Sequence, residues 1–407
     1  MGVSRRFLNL VVDNRIQGAR SLNCIDLRRR KLFNTRTPAR SQKKKKKGNS
    51  SESERPPQDD LKNYRQAAAS SITRKIRDIQ LPQPTLNFRC SIVDSYWYMK
   101  CFPLAGRKLL CVDPSYRTVL FDVNTRQVEI IPYFYVAKHK PLPCFVPLPS
   151  SADAADDGNG SFYILEGSPY QEELQGDDDT RQQLSNQFEA FIYHSESKSW
   201  QRQLLPPPPF VCDPKHYEQY RRPKITSYAV VERGGSHVIF VSVDGAGTYS
   251  LDTVEYVPEL KLWFGFCTQD WQLGAADLST MDSQPQLIAG TWKELEAPGD
   301  WRELKQPQLV NLGSGRFCIT RFFFRYLHPM SCDLEYDSEY DEPVDEEYFT
   351  VLTGVDVVPY IHDAYGTAND TFSGGNGSKG KVELHMIKHN SRRHMSNGSG
   401  GTIEGVF

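Results

Sequence analysis

Apolar and polar positions alternate along this chain over short runs rich in Val, Ile, Leu, Phe and Tyr, and Gly, Pro and Asp punctuate those runs. A period of two places successive side chains on opposite faces of an extended backbone, so the pattern predicts strand almost throughout. Helical periodicity is nearly absent, residues 60–80 coming nearest to it. One unit recurs: an apolar strand ending in Asp, a polar turn, then a second strand. It appears as Leu22–Phe33, Thr118–Ile131, Ala190–Leu204 (with His194 in the Asp position), Thr248–Thr253 and Gly274–Ile288. The Asp carboxylate can accept backbone N–H bonds from the turn and so close a hairpin. A second hairpin with glycine near its turn precedes several copies. Four strands per unit consume ~40–50 residues, the spacing of propeller blades. The expected fold is therefore all-β and β-propeller-like, about five or six blades of four strands joined by disordered loops; a pair of two-sheet sandwiches is the structural alternative.

The same pattern divides the chain. Residues 1–36 carry N-terminal strands, and Leu8–Asp13 is expected to act as a closing strand by completing the sheet around Val382–Ile387, which would remove exposed edges. Residues 37–80, with the run Lys43–Lys47 followed by GNSSESERPPQDD, have almost nothing to bury and are expected to be a linker or insertion. Residues 81–394 form the repeat domain, interrupted by an acidic insertion at 333–347 with nine carboxylates in fifteen residues. Loops are expected at 150–160, 170–187 and 366–380, and a Gly/Ser-rich tail at 395–407.

Several segments are similar to one known family. Arg5–Asn14 (RRFLNLVVDN), Ser21–Asn34, Tyr256–Gly265 (YVPELKLWFG), Gln308–Phe323 and Phe349–Val357 resemble a large plant family, expanded in grasses, of uncharacterised proteins with a domain of unknown function of kelch-like or F-box-associated propeller type. The resemblance covers nearly all of the chain outside the low-complexity loops. It implies a plant source and a kelch-type propeller, and it brings no activity and no functional residues. Two departures stand out. After TYSLDT the chain passes straight into VEYVPELKLWFGF, so at least one strand is expected to be missing near 253–255, leaving an incomplete blade. The lysine-rich insertion is the second. No leucine-rich helical F-box segment precedes the strands, so a role as a ubiquitin-ligase receptor is unsupported.

Composition changes the picture in three respects. Residues 1–47 hold fifteen Lys and Arg against Asp13 and Asp26, so the near-neutral whole conceals a basic N-terminal arm and a net acidic remainder. All nine cysteines stand alone, with no CxxC pair, which suits reduced thiols in a cytoplasmic or nuclear protein. No run approaches a membrane span, so no membrane association is expected. Arg6 stands where a myristoylation motif wants Ser or Thr. Import into an organelle is the minor alternative, because the first 40 residues are Arg-rich; the alternation of Leu8, Leu10 and Val12 argues for a strand instead.

Candidate chemistry is sparse. Gly375–Lys381 has the GxxxxGK spacing of a phosphate loop, but Val382 occupies the hydroxyl position and a strand follows, so a hairpin loop is expected. His385, His389 and His394 cluster, yet KVELHMI alternates as a strand and His394 reads as part of a polar tail, so no metal site is expected. The acidic run lacks the spacing of a defined Ca²⁺ loop, and no GxSxG elbow occurs. Lys43, Lys44, Lys45, Lys46 and Lys47 form the one patch with a functional reading, a nuclear-import signal or polyanion contact. Without interleaved aromatics it does not suit specific nucleic-acid recognition. Arg28–Lys31 is expected on an exposed turn. The leading expectation is a non-catalytic module that binds another protein, with no cofactor. The alternatives are an enzyme or small-molecule binder using an axial pocket, and a degenerate paralogue with an incomplete blade.

Overall fold

The computed structural model describes residues 5–14, 19–34, 76–89, 99–104, 107–138, 140–147, 160–172, 184–220, 222–233, 236–244, 251–257, 260, 262–267, 270–277, 286–327, 346–361, 382–396 and 401–407. Their secondary structure is strand apart from the four-residue helix α1 (Pro209–Cys212) and a 3-10 turn at Pro214–Tyr220. The strands form six open sheets. Sheet I joins β1 (Phe7–Asp13), β2 (Ala19–Asp26) and β4 (Leu86–Arg89) to the C-terminal β23 (Thr402–Val406), in the order β23-β1-β2-β4. Sheet II is β5 (Lys100–Leu104), β6 (Lys108–Val112), β7 (Thr118–Asp122) and β8 (Val128–Ile131). Sheet III is β9 (Pro141–Pro147), β10 (Gly160–Glu166), β11 (Ser185–His194) and β12 (Ser199–Leu205). Sheet IV has two strands, β13 (Ile225–Arg233) and β14 (Ser236–Val243). Sheet V is β15 (Leu251–Val257), β16 (Leu262–Cys267), β17 (Leu273–Asp277) and β18 (Gln286–Trp292). Sheet VI is β19 (Arg302–Gly313), β20 (Arg316–Tyr326), β21 (Glu346–Ile361) and β22 (Val382–Met395), edged by β3 (Arg77–Asp78). Every pairing is antiparallel except that of β3 with β22.

The sheets pack as sequence neighbours. Val11, Leu22, Leu109, Phe121 and Phe407 join sheets I and II. Leu110, Leu120, Phe162 and Phe191 join II and III, with the last two rings stacked 4.7 Å apart. Cys144, Phe188, Ile225 and Val243 join III and IV, and β13 lies alongside β15 of sheet V. Phe264, Phe266, Phe317 and Val355 join V and VI; Leu8, Leu10, Phe322, Leu352 and Ile403 join VI and I.

The turn chemistry expected from the repeat is present. Asp122 Oδ1 accepts the N–H groups of Asn124 and Thr125 at 2.9 and 3.0 Å, and Asp26 Oδ1 that of Arg28 at 3.0 Å. Arg28–Lys31 is an exposed turn, as expected.

Five expectations are corrected. The partner of β1 is β23, in register from Leu10↔Val406 to Asp13↔Thr402, whereas Val382–Ile387 pairs with β21 in sheet VI. Residues 395–407 are thus not only a tail: Ile403 is fully buried and Val406 nearly so. The chain reaches this strand through Gly401, whose φ of +55° and whose absent Cβ, which would lie 2.7 Å from a Val12 methyl, both require glycine. The linker also ends before residue 80, because Ile76 and Ile79 are buried and β3 pairs with β22. Likewise β11 starts inside the loop expected at 170–187, with Ser185 and Gln187 buried. Finally, sheet V has four strands, and among the described residues it is sheet IV that has only two. The β15–β16 register slips between Asp252 and Glu255, at the position where a strand was expected to be missing.

Candidate functional site

A concavity lies where sheets III and IV meet. In β14, Ile239 and Val241 are two residues apart and so share a face; they stand opposite Val230 and Tyr228 of β13. Across from them, sheet III presents Val146, Tyr163, Leu165 and Phe188. Leu205, Pro206 and Pro208 continue one wall, and the open groove holds about 430 Å³. Its lining side chains are apolar apart from Tyr163. Tyr228, Val230, Ile239 and Val241 are only partly buried, although they belong to the cluster centred on Cys144, Phe188 and Val211. Among the described residues, β14 pairs with β13 and with no other strand.

Backbone bonds fix the groove. Glu166, buried at the end of β10, accepts the N–H groups of Lys140 and Ser168 at 3.0 and 3.1 Å. Gly167 O accepts the Ile225 N–H at 2.9 Å, tying the start of β13 to sheet III. A Cβ on Gly167 would lie 2.7 Å from Lys140 O, so this approach needs glycine. Below the groove, Glu172 accepts from Ser185 Oγ and Gln187 Nε2, both at 2.5 Å. Beside α1, burial pushes the Tyr217 phenol up to about 12.

Buried charges occur elsewhere, each matched. Lys138 and Glu189 form a fully buried pair between sheets II and III; the ammonium also donates to Asn186 O at 2.7 Å, and Glu189 accepts the Tyr135 N–H at 3.0 Å. The cavity beside Lys138 has room for about one water, about 20 Å³. Arg321 on β20 pairs with Glu294, donates to Glu303 at 2.7 Å and to Trp271 O at 2.6 Å. Those two carboxylates hold its guanidinium above the usual arginine value despite the opposing effect of burial. Arg20 meets Glu404 at 2.5 Å and Asp13 at 3.2 Å. Lys138 and Glu189 bridge sheets II and III and Arg321 reaches the Trp271 carbonyl just before β17 of sheet V, whereas Arg20, Asp13 and Glu404 lie within sheet I.

The residues singled out in the sequence are not brought together. Lys43–Lys47, Gly375–Lys381 and residues 333–345 of the acidic run lie outside the described residues. His385 is exposed on β22, while His389 packs against Phe33 at 5.2 Å and stands 3.1 Å from Asp356. His394 is not in a polar tail but buried, its Nε2 3.0 Å from Gly401 O. Among the described residues no cluster of His, Cys, Asp or Glu could hold a metal ion, and no helix is long and apolar enough to cross a membrane.

A family profile described as a protein of unknown function (DUF1668) matches residues 5–255 and 253–394. The chain belongs to this family. The two matched segments of the DUF1668 chain meet at residues 253–255, where the β15–β16 register slips, so the break in the family pattern and the break in the sheet coincide. Among curated proteins none matches. A solved structure titled "Complex of KlAtg21 with coiled-coil of AgAtg16" is similar at 8% identity over 78% of this chain and 77% of that one, with a TM-score of 0.22, too low to bear on the fold.

Proposed function

We propose that this DUF1668 protein is a non-catalytic interaction module of propeller type, and that it binds an extended segment of another protein between sheets III and IV. The six sheets pack pairwise in a cyclic order that returns from VI to I through β23, which supports a propeller. The observation that carries the binding reading is sheet IV, two strands beside an open apolar groove of about 430 Å³ where four of the other sheets have four strands. An extended peptide added along β14 would supply a third strand, with main-chain bonds giving affinity and alternate apolar side chains entering the groove. Ser236–Val243 (SHVIFVSV) has no Pro, Lys, Asp or Glu, the residues that commonly blunt an exposed edge. The free thiols of the described cysteines suit a cytoplasmic or nuclear site of action.

The test is selection of random displayed peptides on the full chain, followed by titration and hydrogen exchange. Peptides with alternating apolar residues that slow exchange across residues 236–243 and lose at least tenfold in affinity with Val241→Glu would support the reading. Enriched peptides that protect another region would overturn it. Concentration-dependent self-association through β14 would replace the foreign partner by a second copy.

A further inference from the structure

We propose that Cys101 and Cys111 are a redox-responsive pair that a hydroperoxide converts to a cross-strand disulfide. The two residues stand directly opposite each other in the β5–β6 ladder, with their sulfurs 3.5 Å apart. Directly opposed residues in antiparallel strands have Cα atoms about 4.5–5.5 Å apart, inside the range a disulfide spans. Reaching an S–S bond of about 2.05 Å therefore needs side-chain rotation rather than movement of the strands. No other described cysteine faces a thiol across its ladder: Cys24 opposes Asn9, Cys144 opposes Tyr163, Cys267 opposes Leu251, and Cys318 opposes Val310 and Gly354.

Exposure assigns the order of events. Cys101 is half-buried and reachable, whereas Cys111 is 1% exposed. The Cys101 thiolate attacks the peroxide; the O–O bond breaks, an alcohol leaves with the proton, and Cys101 becomes a sulfenic acid. The Cys111 sulfur then attacks the Cys101 sulfur, the S–S bond forms, and hydroxide leaves with the Cys111 proton as water. In sum, two thiols and one hydroperoxide give one disulfide, one alcohol and one water. In the reduced pair the neighbouring Cys101 sulfur and burial hold the Cys111 thiol well above the usual cysteine value, and Cys111 is buried, so the sulfenic acid forms on Cys101 before the crosslink. The pair lies within the cluster of Val11, Leu22, Phe121 and Phe407 that joins sheets I and II, so the crosslink stiffens the wall on which the C-terminal residue packs.

The full-length chain is reduced, freed of reductant, treated with tert-butyl hydroperoxide and digested without reduction for mass spectrometry. The expected product is a Cys101–Cys111 linked peptide, lighter by the two hydrogens lost and reversed by dithiothreitol. It should be absent from Cys101→Ser, and the oxidised wild type should melt several degrees higher than the reduced protein. Accumulation of sulfinic acid on Cys101 without a link would overturn the proposal. So would both thiols remaining free while Met oxidation shows that the peroxide acted. The wild-type linkage decides the matter even where a serine variant does not fold.

Discussion

Strand β20 of sheet VI and the two strands of sheet IV are similarly apolar and end up differently buried. The main strands of sheet VI run from 11 to 16 residues, and on β20 every residue from Phe317 to Phe323 is buried. That continuity arises because Phe317 and Ile319 face sheet V while Cys318 and Phe322 face sheet I, so neither side of the strand meets water. β13 and β14 have nine and eight residues of comparable character, yet Ile239 and Val241 remain half open beside Tyr163 and Leu165 of sheet III. Burial on a sheet is thus set less by its own strands than by whether its neighbours have enough strands to cover it. Among the described residues sheet IV has two strands, and part of the facing surface of sheet III lies open beside it.

The largest effect expected from this contrast is at Phe317. It is fully buried and its ring centroid lies 5.1 Å from that of Phe264 on sheet V. Phe317→Ala should destabilise by about 3–5 kcal/mol in urea unfolding, while Val241→Ala, on a face already open, should cost less than about 1 kcal/mol. Similar losses at both sites would break the comparison.

The Arg321 cluster should follow. Arg321→Met strands Glu294 without its cation in a fully buried position and should cost about 3 kcal/mol, the nearby Glu303 being able to turn to water. Adding Glu294→Leu should restore part of the loss, since two apolar side chains leave no unpaired charge. No recovery in the double variant would mean that the Trp271 carbonyl bond, and not the ion pair, holds sheets V and VI together.

Gly167→Ala sharpens the comparison from the other side. Its Cβ would press on the Lys140 carbonyl at 2.7 Å, at the point where sheet IV is tied to sheet III. A loss of about 1–3 kcal/mol is expected. Hydrogen exchange should quicken over β13 and β14 and stay unchanged over β20 and β21. Uniform quickening would show that sheet IV is no more independent than sheet VI.

Local chemistry was legible in the sequence. The Asp122 turn follows from one side chain and the three residues after it, and the alternation of Leu8, Leu10 and Val12 marks β1 directly. What escaped was long-range pairing. Thr402–Val406 is a five-residue strand behind a Gly/Ser segment, and only its register with β1 reveals it. The break at 253–255 was visible, but not that it would leave sheet IV short while β15 joined sheet V, because strand count depends on contacts between distant segments. Cys101 and Cys111 looked solitary because a spacing of ten residues is no motif until a hairpin sets them face to face. The groove had no signal at all, since its walls come from two sheets.

The smallest expected effect concerns the strand that joins sheet VI to sheet I. Lys305 on β19 donates to Glu404 O at 2.6 Å, its ammonium 3.8 Å from the centre of the Phe322 ring. Burial of the ammonium pushes it down from the ordinary 10.5 to about 8, against the pull of the Glu404 carboxylate. Between those two values the unfolded chain holds a proton that the folded chain has lost, so stability should rise with pH across that window. Burial raises Glu404 above its ordinary 4.5, more than Arg20 lowers it, so there the folded chain retains the extra proton and stability should fall as pH rises through the window just above that value. Lys305 taken as a whole is exposed, so screening should hold its contribution below about 1 kcal/mol. In melts taken from pH 7 to 10.5, the wild type should gain on Lys305→Met as pH rises. A constant difference would mean that the ammonium is as well solvated in the folded chain as outside it, and that the junction between sheets VI and I rests on Ile403, Val406, their apolar neighbours and the bond from the Val406 N–H to Gln308 Oε1.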